Sequence, residues 1–128
     1  MTIQELEATL PSGFHDAMLH SYSVDLVAKS AHFALELSIG DPNSHEEAER
    51  ERYRHANLTL QGLECFFVDP PDPRYPRIAP ERIDLCDADE KVTQQIPSSS
   101  GLFSARFYSA ATNSFIHFSA RNASISYP

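Results

Sequence analysis

Between residues 22 and 39 apolar and polar side chains alternate, and the alternation is reflected through a turn at Lys29-Ser30. Tyr22, Val24 and Leu26 fall on one face, and Phe33, Leu35 and Leu37 return on it. Ser21, Ser23, Asp25, Glu36 and Ser38 point the other way, and this pattern predicts a β-hairpin. With Lys29-Ser30 as a two-residue loop, Leu26 would face Phe33, Val24 would face Leu35 and Tyr22 would face Leu37. Lys-Ser is not a favoured primed-turn dipeptide, so a longer loop of the same parity is the alternative.

The flanking segments extend this pattern. Thr2 with Glu5 reads as a capping box, and Ile3, Leu6 and Leu10 recur at helical spacing until Pro11 and Gly13 stop a short N-terminal helix. Residues 40–55 form a charge-rich insert, a solvated loop or a single exposed helical turn. A third strand starts near Arg54 with Ala56, Leu58 and Leu60 inward. Leu63, Cys65 and Phe67 then continue with opposite parity, and Gly62 marks the change as a bulge would. Phe66 and Val68 are apolar on the other face, so the strand is expected to be covered on both sides, by the helix or by a second subunit in a homodimer.

Residues 69–80 hold five of the nine prolines and read as an extended connector. A short strand over residues 82–86 is followed by a polar loop at residues 87–91. The last third reads as a meander through Phe103, Ala105 and Phe107, then Ile116 and Phe118, then Ala123, Ile125 and Tyr127. A turn at Arg121-Asn122 would put Phe118 opposite Ile125 and Ile116 opposite Tyr127. The expected fold class is mainly β (α+β): about seven antiparallel strands with one short N-terminal helix, as a β-sandwich or a curved, barrel-like sheet.

A chain of 128 residues with 41% hydrophobic and 22% charged positions fits one domain, 1–128. Its formal charge of −8, from 18 acidic and 10 basic side chains, disfavours nucleic acid and makes a basic protein the natural charged partner. Glu5 and Glu7 interrupt the start of the chain where a signal peptide would be apolar, and no apolar run has membrane-spanning length. Cys65 and Cys86 form no CxxC motif and fit a reduced, cytoplasmic protein. In that setting Asn57-Leu58-Thr59 and Asn122-Ala123-Ser124 are chance matches to a glycosylation acceptor.

Candidate chemistry is sparse. His15 and Asp16, with His20 nearby, are the densest polar group before a strand; a base or ligand role competes with Asp16 simply fixing a turn, since adjacent extended residues point apart. The six histidines, His15, His20, His32, His45, His55 and His117, form neither HxH nor HExxH, so the spacing specifies no metal site and no cofactor, and only convergence in the fold would make one. His32 and His117 read as exposed strand residues. Cys65 reads as a packed small hydrophobe. Asp84, Asp87, Asp89 and Glu90 lack the glycine and terminal glutamate of a calcium loop. Arg50, Arg52, Tyr53, Arg54 and His55 form the one basic strip, suited either to steering an anion or to pairing with Glu46, Glu47, Glu49 and Glu51.

The run Phe14-His15-Asp16-Ala17, the hairpin, Tyr53-Arg54 leading into Leu58-Thr59-Leu60-Gln61-Gly62, and a closing strand from Phe118 to Ile125 together resemble a scattered group of small, uncharacterised bacterial β-rich proteins. Some of that group look like immunity proteins of bacterial toxin systems. The charged insert and the proline-rich connector are departures from the group's pattern. The resemblance implies a non-enzymatic module that binds a protein partner and carries no catalytic residues. The alternative is a small-ligand-binding β-domain with a cleft near His15, Asp16, Tyr53 and Arg54.

Overall fold

The computed structural model describes residues 1–41, 43–75 and 81–128. Thr2 caps the first helix, α1 (Ile3–Ala8): its hydroxyl accepts from the Glu5 N–H at 3.0 Å, and the Glu5 carboxylate accepts from the Thr2 N–H at 3.2 Å. The strands β1 (Ala17–Asp25) and β2 (Ser30–Ser38) follow. After them come α2 (Glu47–Arg50), β3 (Tyr53–Gln61), β4 (Cys65–Val68), β5 (Glu81–Asp87), α3 (Glu90–Gln95), β6 (Phe103–Ser109), β7 (Ser114–Ala120) and β8 (Asn122–Ser126). The strands form one 8-stranded antiparallel sheet in the order β4-β7-β6-β5-β1-β2-β3-β8. There are thus eight strands rather than seven, with three short helices rather than one. Among the described residues, no helix is long and apolar enough to cross a membrane.

The sheet curls on itself. Phe33 of β2 touches Phe107 of β6 and Phe118 of β7, with ring centroids 5.5 Å and 6.2 Å apart, although three strands separate β2 from β7 in the sheet order. Only an interior shared across the curl brings those rings together. Phe14, Leu35, Leu58, Leu60 and Ile83 fill the same core. The end strands follow directly from their chain neighbours: β4 continues β3 around Gly62, and β8 continues β7 around Arg121. The Arg121 N–H donates to the Gln61 carbonyl and the Glu64 N–H to the Ser119 carbonyl, both at 2.9 Å, carrying the pairing through the two bends. Gly62 sits at φ +65, and a Cβ there would meet the Arg121 side chain at 2.9 Å, so this corner needs glycine.

Four details differ from the sequence reading. The hairpin keeps the expected parity, but the longer loop forms instead of the two-residue one: Tyr22 pairs with Phe33 and Asp25 with Ser30. The turn is therefore residues 26–29. The Asp25 carboxylate accepts from the Val27 and Ala28 N–H groups at 3.0 and 2.9 Å, and Lys29 adopts φ +52. Leu26 and Val27 consequently lie at the tip, 84% and 96% exposed, rather than on the inner face.

Beyond the Gly62 bend it is Phe66 that turns inward, paired with Phe118 and in contact with Phe33, while Phe67 and Val68 are exposed. The two-sided apolar pattern is thus met on one side by the protein's own core. The final turn does not form a hairpin: β8 leaves β7 and pairs with β3, placing Ile125 opposite Leu58. The edge of β7 that such a hairpin would need is taken by β4. The loop expected at residues 87–91 instead starts α3, where Asp89 accepts from the Lys91 N–H at 2.8 Å and Val92 is buried. The expected connector lacks helix and strand over residues 69–75, and residues 76–80 lie outside the described residues.

Candidate functional site

Alternation along the strands sets which side chains face out. Ala17, Leu19, Leu35, Leu37, Ala56 and Ile83 are buried, so the intervening positions of β5, β1, β2 and β3 form the outer face. Register aligns Arg82, Met18, Glu36 and His55 in one row across these four strands.

At one end of this face, His15 lies between two carboxylates. Its Nδ1 donates to Asp84 Oδ1 at 2.6 Å, and its Nε2 lies 3.5 Å from Asp16 Oδ2. The expectation that His15 and Asp16 point apart holds only for extended backbone. Asp16 has φ +54, and this left-handed step swings its carboxylate to the same side as His15. The turn is fixed by Asp84, which accepts from the Asp16 N–H at 3.3 Å, rather than by Asp16 itself. The hydrogen bond to Asp84 raises the His15 pKa above its ordinary value, and the charges of Asp16 and Asp84 add to the shift.

A raised folded-state pKa contributes stability in full below the unfolded value of about 6.5, and that contribution is lost as pH rises through the raised value. Because the imidazole is largely exposed, the effect on overall stability is small, and it is the titration that reports it. The Asp84→Asn variant is expected to move the His15 midpoint down toward about 6.5. An imidazole NMR titration with an unchanged midpoint would refute the assignment.

Tyr53 joins this region: its hydroxyl accepts from Arg82 Nη1 at 3.4 Å. Arg54 does not. It lies on the opposite pleat, with its guanidinium 3.7 Å over the Tyr127 ring. The fold thus brings together His15, Asp16 and, through Arg82, Tyr53.

The sequence reading missed a second cluster on the same face. His20 Nε2 lies 3.1 Å from Glu36 Oε2, and His55 Nε2 lies 3.3 Å from Glu36 Oε1. These residues come from β1, β2 and β3, so no spacing along the chain joins them. A β-bulge between Leu19 and Ser21 falls at His20. Of the other histidines, His45 is exposed, and His32 contacts Thr59 Oγ1 at 3.3 Å and Ser30 Oγ at 3.4 Å. His117 is not the exposed strand residue its position suggested: it is buried and stacked on Phe67 at 4.1 Å, with its Nε2 donating to Asp69 Oδ1 at 3.0 Å.

Neither histidine cluster lines the cavity beside α1, although His32 and Tyr22 line a smaller cleft of about 390 Å³. A cavity of about 670 Å³ lies between α1, α3 and the start of β6, and its walls are Thr2, Gln4, Thr93, Ile96, Pro97, Gly101, Leu102, Phe103 and Ser104. None of these side chains titrates in the ordinary range. Burial pushes the Cys65 thiol up, away from the thiolate a nucleophile needs.

No family model matches the chain, and no curated protein matches it. Among solved structures, an uncharacterized protein from Neisseria gonorrhoeae is similar to it at 11% identity and a TM-score of 0.46, over 88% of this chain and 91% of that one.

Proposed function

We propose that the protein is a non-enzymatic binding module that engages a basic protein partner, in the manner of the immunity proteins its motifs resemble. One observation carries this reading: both clusters of ionisable groups stand on an open, solvated sheet face, and the cavity beside α1 holds none. Catalysis draws on desolvated, concave sites, whereas recognition of a charged partner needs only accessible, complementary charge.

The charged insert favours an acidic docking surface beside that face. Arg52 pairs with Glu49 at 3.5 Å, Arg50 bonds the Ser44 carbonyl, and Arg54 stacks on Tyr127. Glu46, Glu47 and Glu51 are exposed and have no ionic partner among the described residues. Free cysteines at positions 65 and 86 fit a reducing, cytoplasmic setting.

Affinity capture from native lysate should retrieve one basic protein whose retention falls with added salt. The Glu46→Gln/Glu47→Gln/Glu51→Gln variant should slow association by about tenfold at low salt. Salt-indifferent capture of many proteins, or of none, would sink the proposal.

A further inference from the structure

We propose that His20, Glu36 and His55 form a binding site for a divalent transition-metal ion of the zinc class. The inference goes beyond partner binding and stands without it. Two imidazoles and one carboxylate are a donor set that suits zinc and its neighbours, with a fourth position left for water or an incoming ligand.

The arrangement fits such an ion in three respects. First, each histidine offers a single nitrogen, Nε2, to the same carboxylate, and the three ligand atoms lie within 4.8 Å of one another. Metal–ligand distances of about 2.0–2.2 Å imply an edge of about 3.3 Å between ligands of a tetrahedron. The nitrogen–oxygen separations, 3.1 Å from His20 to Oε2 and 3.3 Å from His55 to Oε1, are close to that edge, although they run to different oxygens, so the carboxylate must turn slightly to present one oxygen, or both, to an ion. Second, the three side chains come from adjacent, hydrogen-bonded strands, so the sheet holds their backbones in place before any ion arrives. Third, the break in strand regularity falls at a ligand: the bulge adds His20 to β1 where regular pairing would place no extra side chain. Bulges commonly re-aim a side chain beside a functional site.

The His15 cluster sharpens the contrast. There one imidazole lies between two carboxylates and uses both of its nitrogens, Nδ1 toward Asp84 and Nε2 toward Asp16. One of those nitrogens and the two carboxylate oxygens also lie within 4.8 Å of one another, but that oxygen-rich donor set suits zinc less well than two imidazoles and one carboxylate. At Glu36 the order is reversed, a carboxylate between two imidazoles, and the nitrogens converge. When an ion binds, each imidazole presents its Nε2 lone pair to the metal and carries its N–H on Nδ1. The protein's charge of −8 raises the local concentration of cations around the site.

Untagged protein titrated with zinc by calorimetry should bind one equivalent. Cobalt(II) at the same site should show tetrahedral ligand-field absorption without a thiolate charge-transfer band. His20→Ala, His55→Ala and Glu36→Gln should each weaken zinc binding by more than about a hundredfold, since loss of a direct ligand exceeds the ten- to hundredfold typical of supporting residues. His32→Ala, on the same face, should leave binding unchanged. In the unaltered protein, one equivalent of zinc should shift the imidazole NMR signals of His20 and His55 but not those of His32 or His117. That readout does not depend on any variant folding. Retention of stoichiometric binding in the His20→Ala/His55→Ala protein would overturn the assignment, as would a thiolate band implicating Cys65 or Cys86, or the absence of zinc binding.

Discussion

Replacing Phe33 with alanine is expected to lower stability by about 3–5 kcal/mol, the range for deleting a fully buried aromatic ring. Phe33 has no exposed surface and is where the curled sheet meets itself: its ring touches Phe107, Phe118, Phe66 and Tyr22 from four other strands. Strand backbones held by ladder bonds cannot collapse into the space, so the cavity persists and the surrounding rings lose contacts on one side. Domains of this size have a total stability of about 5–15 kcal/mol, so the loss is a large share of the whole. The thermal midpoint should fall by about 10–20 °C. The tip residue Val27, 96% exposed, supplies the control, because Val27→Ala should change stability by no more than about 0.5 kcal/mol. Denaturant unfolding of both variants tests the claim. A Phe33→Ala cost below about 1 kcal/mol would show that the rings do not form one shared core.

Phe33 also shows what was legible in the sequence. Alternation identified it, Leu35 and Leu37 as core because period-two patterning follows directly from the pleat of a strand. The capping box fixed α1 for a similarly local reason. Alternation gives parity but not register, which is why the hairpin turn was displaced to residues 26–29, where Asp25 bonds the turn N–H groups. The destination of β8 was illegible for a different reason. A turn between two apolar strands looks alike whether the second strand folds back or bends onward, and competition from β4 for the edge of β7 is a tertiary fact. α3 was missed because one buried residue, Val92, is too little apolar signal for periodicity to register.

The same distinction separates the two clusters on the outer face. His15 and Asp16 were visible as neighbours, and only the left-handed step at Asp16 hid that they act together. His20, Glu36 and His55 became neighbours through the pairing of three strands and a bulge, none of which is written in local spacing.

His117 supports the second large prediction: Asp69→Ala should cost about 1–3 kcal/mol, the penalty for leaving a buried donor unpaired. The imidazole is buried beneath the stacked Phe67 ring, and its Nδ1 has no hydrogen-bond partner among the described residues. The bond from Nε2 to Asp69 is therefore the one that satisfies the ring among the described residues. Asp69 Oδ2 also accepts from the Phe115 N–H at 3.3 Å, and the Asp69 N–H donates to the Phe115 carbonyl at 2.9 Å, which ties the start of the connector to β7. Removing the carboxylate strands both nitrogens where water has little access. Replacing the imidazole as well should reverse most of the loss, because an apolar side chain of similar size has no donor to satisfy. The His117→Leu/Asp69→Ala protein should accordingly unfold at higher denaturant than Asp69→Ala alone. If the double variant proves less stable than the single one, the stack on Phe67, rather than the hydrogen bond to Asp69, is what His117 contributes to the fold.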